Sequence, residues 1–363
     1  MKYSQEELCL IWLDSFIGLE YKHKAELYSK LNNASGIKGF IEQNKGYILE
    51  FIGENNYNTL INSANGEYLN YVMDSLHKNQ VVAITINSKD YPEELKNTSI
   101  PPLVLYAKGN IELLRTEKFA IVGSRKSLPL SLNIAKNYAE TLSNAGLTLV
   151  TGIAEGVDKV VLESAIKNKK VISVVAGGFN CLYPKSNMDI FNKVCENGLA
   201  ISEHPLDVNP MPYFFPVRNR IIAGLSKGTL IINGSKKSGT LYTAEYAEEY
   251  GRDLFCVPYS VGVKSGEGNN ELIKRGATLT DTPQDIIEFY NLEAKKEKIE
   301  LTDSERQILS VLREESMHIE KIAKKLNKKT MEIIADLSLL EIKGVIVKDG
   351  VNTYSIISDY LEE

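Results

Sequence analysis

The sequence predicts an α/β fold, a doubly wound, mostly parallel sheet flanked by a helical N-terminal domain and a C-terminal winged-helix domain. Three observations carry that prediction. From Phe119 onward, short β-branched runs alternate with amphipathic stretches of about a dozen residues, the pattern of strands buried on both faces and joined by helices. Gly-containing turns follow several of those runs, where a strand hands over to a helix. At 363 residues the chain is also too long for one ordinary domain.

Residues 1–80 read as helices, with Leu10, Leu13, Phe16 and Ile17, then Ala25, Leu27 and Leu31, at roughly helical spacing. Val81 to Ile86 is a strand candidate, broken by Asp90-Tyr91-Pro92. PPLVLYAKGN (101–110) reads as an extended connector. The α/β domain is expected over 81–290. Its strands are FAIVGS (119–124), LTLVTG (147–152), KVISVVAGG (170–178), LAISEHP (199–205), GTLIING (228–234), DLFCVPY (253–259) and a short ATLT (277–280). Helices are expected from about Leu130 to Asn144, up to about Asn168, and over Ser186 to Glu196. Residues 291–300 are polar and charged, a linker. In 301–363, Thr302 to Glu305 resembles an N-capping start, IEKIAKKLN and TMEIIADLSLLEIKG make a helix-turn-helix, and VIVKDGVNTYSII reads as a hairpin turning at Asp349-Gly350.

Composition excludes several classes. No apolar run approaches the roughly 18–20 residues that span a bilayer, so no membrane segment is expected. The four cysteines show no CxxC spacing and the four histidines no HxxxH spacing, which argues against a metal site and fits a reducing cytoplasmic setting. No cofactor motif appears: neither GxGxxG nor GxxxxGK[ST] is present. Net charge is −5, unevenly spread. Residues 1–116 hold 11 Lys+Arg against 14 Asp+Glu, residues 117–289 hold 19 against 18, and residues 300–363 hold 9 against 13. The middle is the least acidic part, and several of its cations stand in loops, so a local basic groove fits a neutral domain.

Four groups there can meet an anion. Gly123-Ser124-Arg125 stands between a strand and a helix: glycine lets backbone approach a phosphate, and Arg125 can grip one bidentately. Near Gly177-Gly178, Tyr183 can stack on a base and Lys185 can meet a phosphate. Phe215, Arg218, Asn219 and Arg220 put rings beside guanidinium groups at a helix start, where cations face an unfavourable macrodipole. That cost calls for an anion, from a ligand or from an internal carboxylate. Lys237, Ser238, Gly239 and Thr240 open a further helix whose free N–H groups seat an anion or a serine cap. In a doubly wound sheet all these turns lie at the carboxyl ends of the strands, where ligands bind. No catalytic set stands out. Asp158 and Glu203 are candidate carboxylates, read as structural: one binding loop backbone, the other pairing with an arginine.

These motifs, with TGIAEGVD (151–158), GGFNCLYP (177–184), FPVRNRIIAGLS (215–226), KSGTLYTAEYA (237–247) and NELIKRGA (270–277), together resemble the DprA (Smf) DNA-processing family. The resemblance implies a Rossmann-like domain between a SAM-like helical domain and a winged helix. It implies a non-enzymatic, homodimeric protein that binds single-stranded DNA and helps load a RecA-type recombinase during natural transformation. Arg125, Lys185, Phe215, Arg218 and Ser238 to Thr240 would line the DNA pocket. The chain departs from the family pattern at Glu155, Leu162 and Asn233. Two other readings stay open: a nucleotide-ligand sensor, and a nucleoside-monophosphate phosphoribohydrolase. The second needs a glutamate where SKKSGTLYT places Thr243. Arg125→Ala and Arg218→Ala are both expected to weaken strand binding at little cost in stability. The winged helix, net −4, is expected to contact protein rather than DNA.

Overall fold

In the computed structural model, which describes residues 3–16, 21–29, 37–292, 301–313 and 315–356, the chain divides into two units, Met1–Lys295 and Lys296–Glu363. Most of the expected linker, residues 293–300, lies outside the described residues.

The first unit begins with five helices: α1 (Gln5–Ser15), α2 (Tyr21–Ser29), α3 (Ile37–Gln43), α4 (Lys45–Ser63) and α5 (Gly66–Lys78). Ser4 and Glu7 form a capping box that starts α1. The helices before residue 80 do not close a core of their own. Leu10, Ile11 and Trp12 are buried in the same apolar cluster as the sheet, and Tyr106 Oη donates to the buried Asp14 Oδ2 at 2.9 Å.

The strands are β1 (Val82–Thr85), β2 (Val104–Gly109), β3 (Lys118–Val122), β4 (Thr148–Thr151), β5 (Val171–Val175), β6 (Leu199–Ser202), β7 (Gly228–Ile231), β8 (Asp253–Cys256) and β9 (Thr278–Leu279). Their order is β1-β2-β6-β5-β4-β3-β7-β8-β9. Neighbours from β6 to β9 run parallel, and β1 and β2 add an antiparallel edge. The segment read as a connector is therefore partly a sheet strand. Val104 to Ala107 are all buried, and the strand pairs with β6 over Tyr106 to Gly109.

The connecting helices are α6 (Glu93–Lys96), α7 (Pro129–Asn144), α8 (Val157–Ala165), α9 (Met188–Asn197), α10 (Phe214–Leu225), α11 (Thr240–Glu249), α12 (Glu267–Lys274) and α13 (Pro283–Phe289). From β3 the chain steps through β4 and β5 to β6 in one direction. It then crosses over by α10 to β7 on the other side of β3 and continues to β8 and β9. With constant crossover handedness, that reversal sends the helices to opposite faces of the sheet and opens a crevice beyond the carboxyl ends of β3 and β7.

The second unit runs α14 (Asp303–Leu312), β10 (Met317–His318), α15 (Ile319–Lys325), α16 (Thr330–Ile342), β11 (Ile346–Gly350) and β12 (Thr353–Ile356), with an antiparallel sheet ordered β10-β12-β11. This helix–strand–helix–helix–hairpin order is the one expected of a winged helix. Ile308, Ile322, Ile333, Leu337 and Leu340 form its core. Glu305, fully buried, accepts two bonds from Lys343 Nζ at 2.7 and 2.8 Å and closes the capping box with Thr302. The hairpin turns at Val351-Asn352 rather than Asp349-Gly350. A register irregularity between Lys348 and Gly350 carries the strand past the Asp-Gly pair, and Asn352 takes the left-handed conformation, φ 57°.

Candidate anion-binding cleft

Beyond the carboxyl ends of β3 and β7 lies a cleft of about 850 Å3. Its floor carries two buried, oppositely charged side chains. Arg218, on α10, is 5% exposed; its Nη1 donates to the Val174 carbonyl at the end of β5. Beside it sits Asp158, 7% exposed. Asp158 Oδ1 accepts from Thr151 Oγ1 at 3.1 Å and Oδ2 from the Ala154 N–H at 3.2 Å. Burial pushes the Asp158 carboxyl above its usual range, with Arg218, those two donors and Arg125 pulling the other way. Burial likewise pulls the Arg218 guanidinium down to about 10, against the hold of Asp158, and nearby Arg125 adds to the fall. Arg218 stays charged at neutral pH, and an anion set between the two arginines relieves their mutual repulsion.

Two glycines are required here. A Cβ on Gly152 would lie 2.3 Å from Asp158 Oδ2 and 2.7 Å from Arg218 Nη2, so only glycine lets the β4 loop pass over the pair. Gly156 has φ +83°, and a Cβ there would meet the Ser124 carbonyl at 2.4 Å.

The two walls come from the two halves of the fold. One is Gly123-Ser124-Arg125-Lys126 after β3; the other is the turn from Ser235 into α11. Asn233, wholly buried, ties them together. Its Oδ1 accepts from the Ser124 N–H at 2.8 Å and its Nδ2 donates to Ser127 Oγ at 3.0 Å. The second wall is itself braced. Ser238 N–H donates to Ser235 O at 2.9 Å, Thr240 N–H to Ser238 Oγ at 3.3 Å, and Asn219 Nδ2 to Gly239 O at 3.2 Å. The N-terminus of α11 thus opens on the cleft with its first turn preformed.

Aromatic rings line the mouth. Tyr183, 54% exposed, meets Phe215 edge-on at 5.9 Å. The exposed Arg125 guanidinium stands 5.0 Å from the Phe215 ring centroid. Among the described residues, no carboxylate bonds Arg125. Tyr242, on α11, adds a further half-exposed ring.

Of the residues singled out from sequence, Gly123, Ser124, Arg125, Phe215, Arg218, Asn219, Ser238, Gly239 and Thr240 line this one cleft. Three do not. Lys185 and Lys237 are exposed but outside the lining. Arg220, 2% exposed, turns away to a buried ion pair with Glu203, because two residues along α10 is about 200° round the helix from Arg218. The internal carboxylate, left open at sequence level, is the partner of Arg220. Arg218 is too buried to be removed cheaply, so the expectation that its loss spares stability is withdrawn. Lys126, Tyr242 and Asp158 belong to the lining as well. Lys126 was legible as the neighbour of Arg125, and Tyr242 as a ring in the first turn of the helix that Ser238 opens. At the sites of departure from the family pattern, Leu162 is buried in the core and Glu155 accepts from Ser186 Oγ at 2.6 Å, so neither charges the floor.

Fold and cleft together define an α/β protein with a cleft at the switch point of its sheet, lined by two arginines and a helix N-terminus and with aromatic rings at the mouth. The chain belongs to the family described as DNA recombination-mediator protein A, whose model matches residues 82–291. It is 36% identical over 219 residues to DNA processing protein DprA of Bacillus subtilis, covering 60% of this chain and 74% of that protein. Against protein Smf of Escherichia coli it is 38% identical over 207 residues, 56% of this chain and 55% of the relative. The X-ray structure of DprA from Streptococcus pneumoniae superposes with a TM-score of 0.67 at 28% identity, over 81% of this chain and 99% of that one. DNA processing protein A from Helicobacter pylori, solved for its single-stranded DNA binding mode, gives 0.54 at 30% identity, over 58% and 96%.

Proposed function

We propose that the cleft holds single-stranded DNA. Backbone phosphates would meet Arg125, Lys126, the Ser124 loop and the α11 N-terminus, and unstacked bases would rest on Phe215 and Tyr183. The observation that carries this reading is Arg125: an exposed cation with no carboxylate bonded to it among the described residues, set on an aromatic ring at the mouth of the cleft. Single-stranded DNA binding by the Helicobacter pylori relative supports it.

The reading is of holding rather than turnover. Asp158 is the carboxylate of the lining, and both its oxygens are engaged. Thr243 stands where a phosphoribohydrolase needs its acid, and the exposed Glu245 is outside the lining. The family description supports a role in recombination. We extend it to cytoplasmic delivery of the strand to a RecA-type recombinase by a homodimer, during natural transformation. A mononucleotide sensor is the second reading, since about 850 Å3 accommodates one nucleotide.

The test is an anisotropy titration with a long single strand, its duplex and mononucleotides at several salt concentrations. Preference for the single strand, weakening steeply as salt rises, is expected. Tight mononucleotide binding without strand affinity would overturn the proposal. Delivery is tested by adding the protein to RecA filament assembly on strands coated with single-strand-binding protein; no acceleration refutes it.

A further inference from the structure

The helix of a winged-helix module that ordinarily reads DNA here presents an apolar face to solvent. On α16 the core side is Ile333, Leu337 and Leu340, all fully buried. The opposite side carries Met331 (85% exposed), Ile334 (47%), Leu339 (46%) and Ile342 (80%). Ala335 and Ser338 lie between them, also exposed. These six positions recur at intervals of three, one, three, one and three residues, a single helical stripe. The exposed Glu332 and Glu341 stand at its two margins, and the next charges round the helix are turned inward. Asp336 accepts from Ser304 Oγ at 2.6 Å and Lys343 donates to the buried Glu305. A helix apolar on both sides is one whose outer side expects cover, and a stripe without a cation has nothing to offer a phosphate.

The stripe reads the same in both directions. About the midpoint between Asp336 and Leu337, Met331 mirrors Ile342, Ile334 mirrors Leu339, and Ala335 mirrors Ser338. Large pairs stand at both ends and small residues in the middle. Two such helices crossing antiparallel on a two-fold axis would bring small residue against small residue, where the backbones approach most closely, and large against large at the ends. The helix dipoles favour the same arrangement, since antiparallel pairing sets each positive N-terminal end beside the partner's negative C-terminal end.

We propose that the outer face of α16 is a docking surface for the same face of a second copy of this chain, paired antiparallel about Ala335 and Ser338. The strip offers a few hundred Å2, below the roughly 800 Å2 per partner of a standard interface. Pairing through it is accordingly weak and concentration dependent.

Disulfide trapping in the purified full chain tests this, with Cys181 and Cys195 replaced by serine to remove the partly exposed thiols. Under mild oxidation Ser338→Cys and Ala335→Cys should each give a covalent dimer at a yield that rises with protein concentration. Met331→Cys should give none, because its mate would sit roughly 16 Å away along the helix, beyond the about 7 Å between Cα atoms that a disulfide tolerates. A mixture of Met331→Cys and Ile342→Cys chains should link to each other. Adding Ile334→Lys and Ile342→Lys to Ser338→Cys should reduce its linked fraction at least fivefold, with amide-exchange protection of 303–342 confirming the fold. No link at Ser338→Cys or Ala335→Cys refutes the proposal, and would mean that another part of the chain or another partner covers the face. Equal linking at Met331→Cys refutes the antiparallel register.

Discussion

Replacing Arg125 by alanine tests the proposed binding arginine against the structural ones beside it. Within the folded chain, the bonded partner of Arg125 among the described residues is the Phe215 ring at 5.0 Å. An exposed cation–π contact contributes about 0.5–1 kcal/mol, so the stability cost should stay under about 1 kcal/mol. A charge-assisted bond to a phosphate is worth about 1.5–3 kcal/mol, and its loss should weaken strand binding by roughly 10- to 150-fold at about 1.4 kcal/mol per decade. The dependence of log affinity on log salt should also become shallower, by about 0.7 for one single-strand phosphate contact. Arg125→Lys keeps the charge but not the bidentate fork, so it should recover the salt slope and only part of the affinity. The assay is fluorescence anisotropy with a labelled single strand over a salt series, with urea unfolding followed by Trp12, the sole tryptophan, which is buried in the core of the first unit. An alanine variant with native affinity and native slope would refute the placement of a phosphate at Arg125. Unfolding by several kcal/mol would show that the guanidinium is structural.

Arg220→Ala should do the reverse: breaking one side of the buried pair with Glu203 should cost about 3–5 kcal/mol in urea unfolding, while strand affinity measured well below the melting temperature changes less than threefold. Asn233→Ala leaves the Ser124 N–H without its acceptor, costing about 1–3 kcal/mol; binding should weaken with the salt slope unchanged, since no cation is lost. His204, stacked on Phe214 at 4.1 Å, is held below its usual range by burial, against the pull of Glu203 and Asp14. A depressed histidine adds stability that is present above its unfolded value of about 6.5 and lost as pH falls through the folded one. The melting temperature reported by Trp12 should therefore drop between pH 7 and pH 5, and His204→Phe should flatten that drop.

The parallel strands were legible because strands covered on both faces are apolar nearly throughout, as Phe119 to Val122 is and as Val171 to Val175 is apart from Ser173, whose hydroxyl donates to the Gly152 carbonyl. The β2 strand was less so. Pro101-Pro102 stands just before it, and its pairing partner, β6, lies some ninety residues further on, a distance that local pattern does not register. The same limit governed the arginines. Arg125, Arg218 and Arg220 look equivalent in a string, and what distinguishes them is supplied from elsewhere: Glu203 from the end of β6, Asp158 from α8, Phe215 from α10. A charge cannot be sorted into binder or brace until its partners are placed. Turn chemistry survived better, because the Gly123 and Gly239 turns are set by local backbone needs. The wing turn moved two residues because a ladder irregularity, not the Asp-Gly pair, decides where the strand ends.

The cleft is a seam as well as a cavity. Its walls belong to segments more than a hundred residues apart, joined by the pairing of β3 with β7 and the single side chain of Asn233. Neither half of the sheet carries a site. A chain cut in the exposed stretch near Asn209 to Pro212 leaves Arg125 on one piece and Arg218 with the α11 turn on the other. Occupancy of the cleft therefore reports that the two pieces have come together, and a bound strand should act as a clamp that slows their separation.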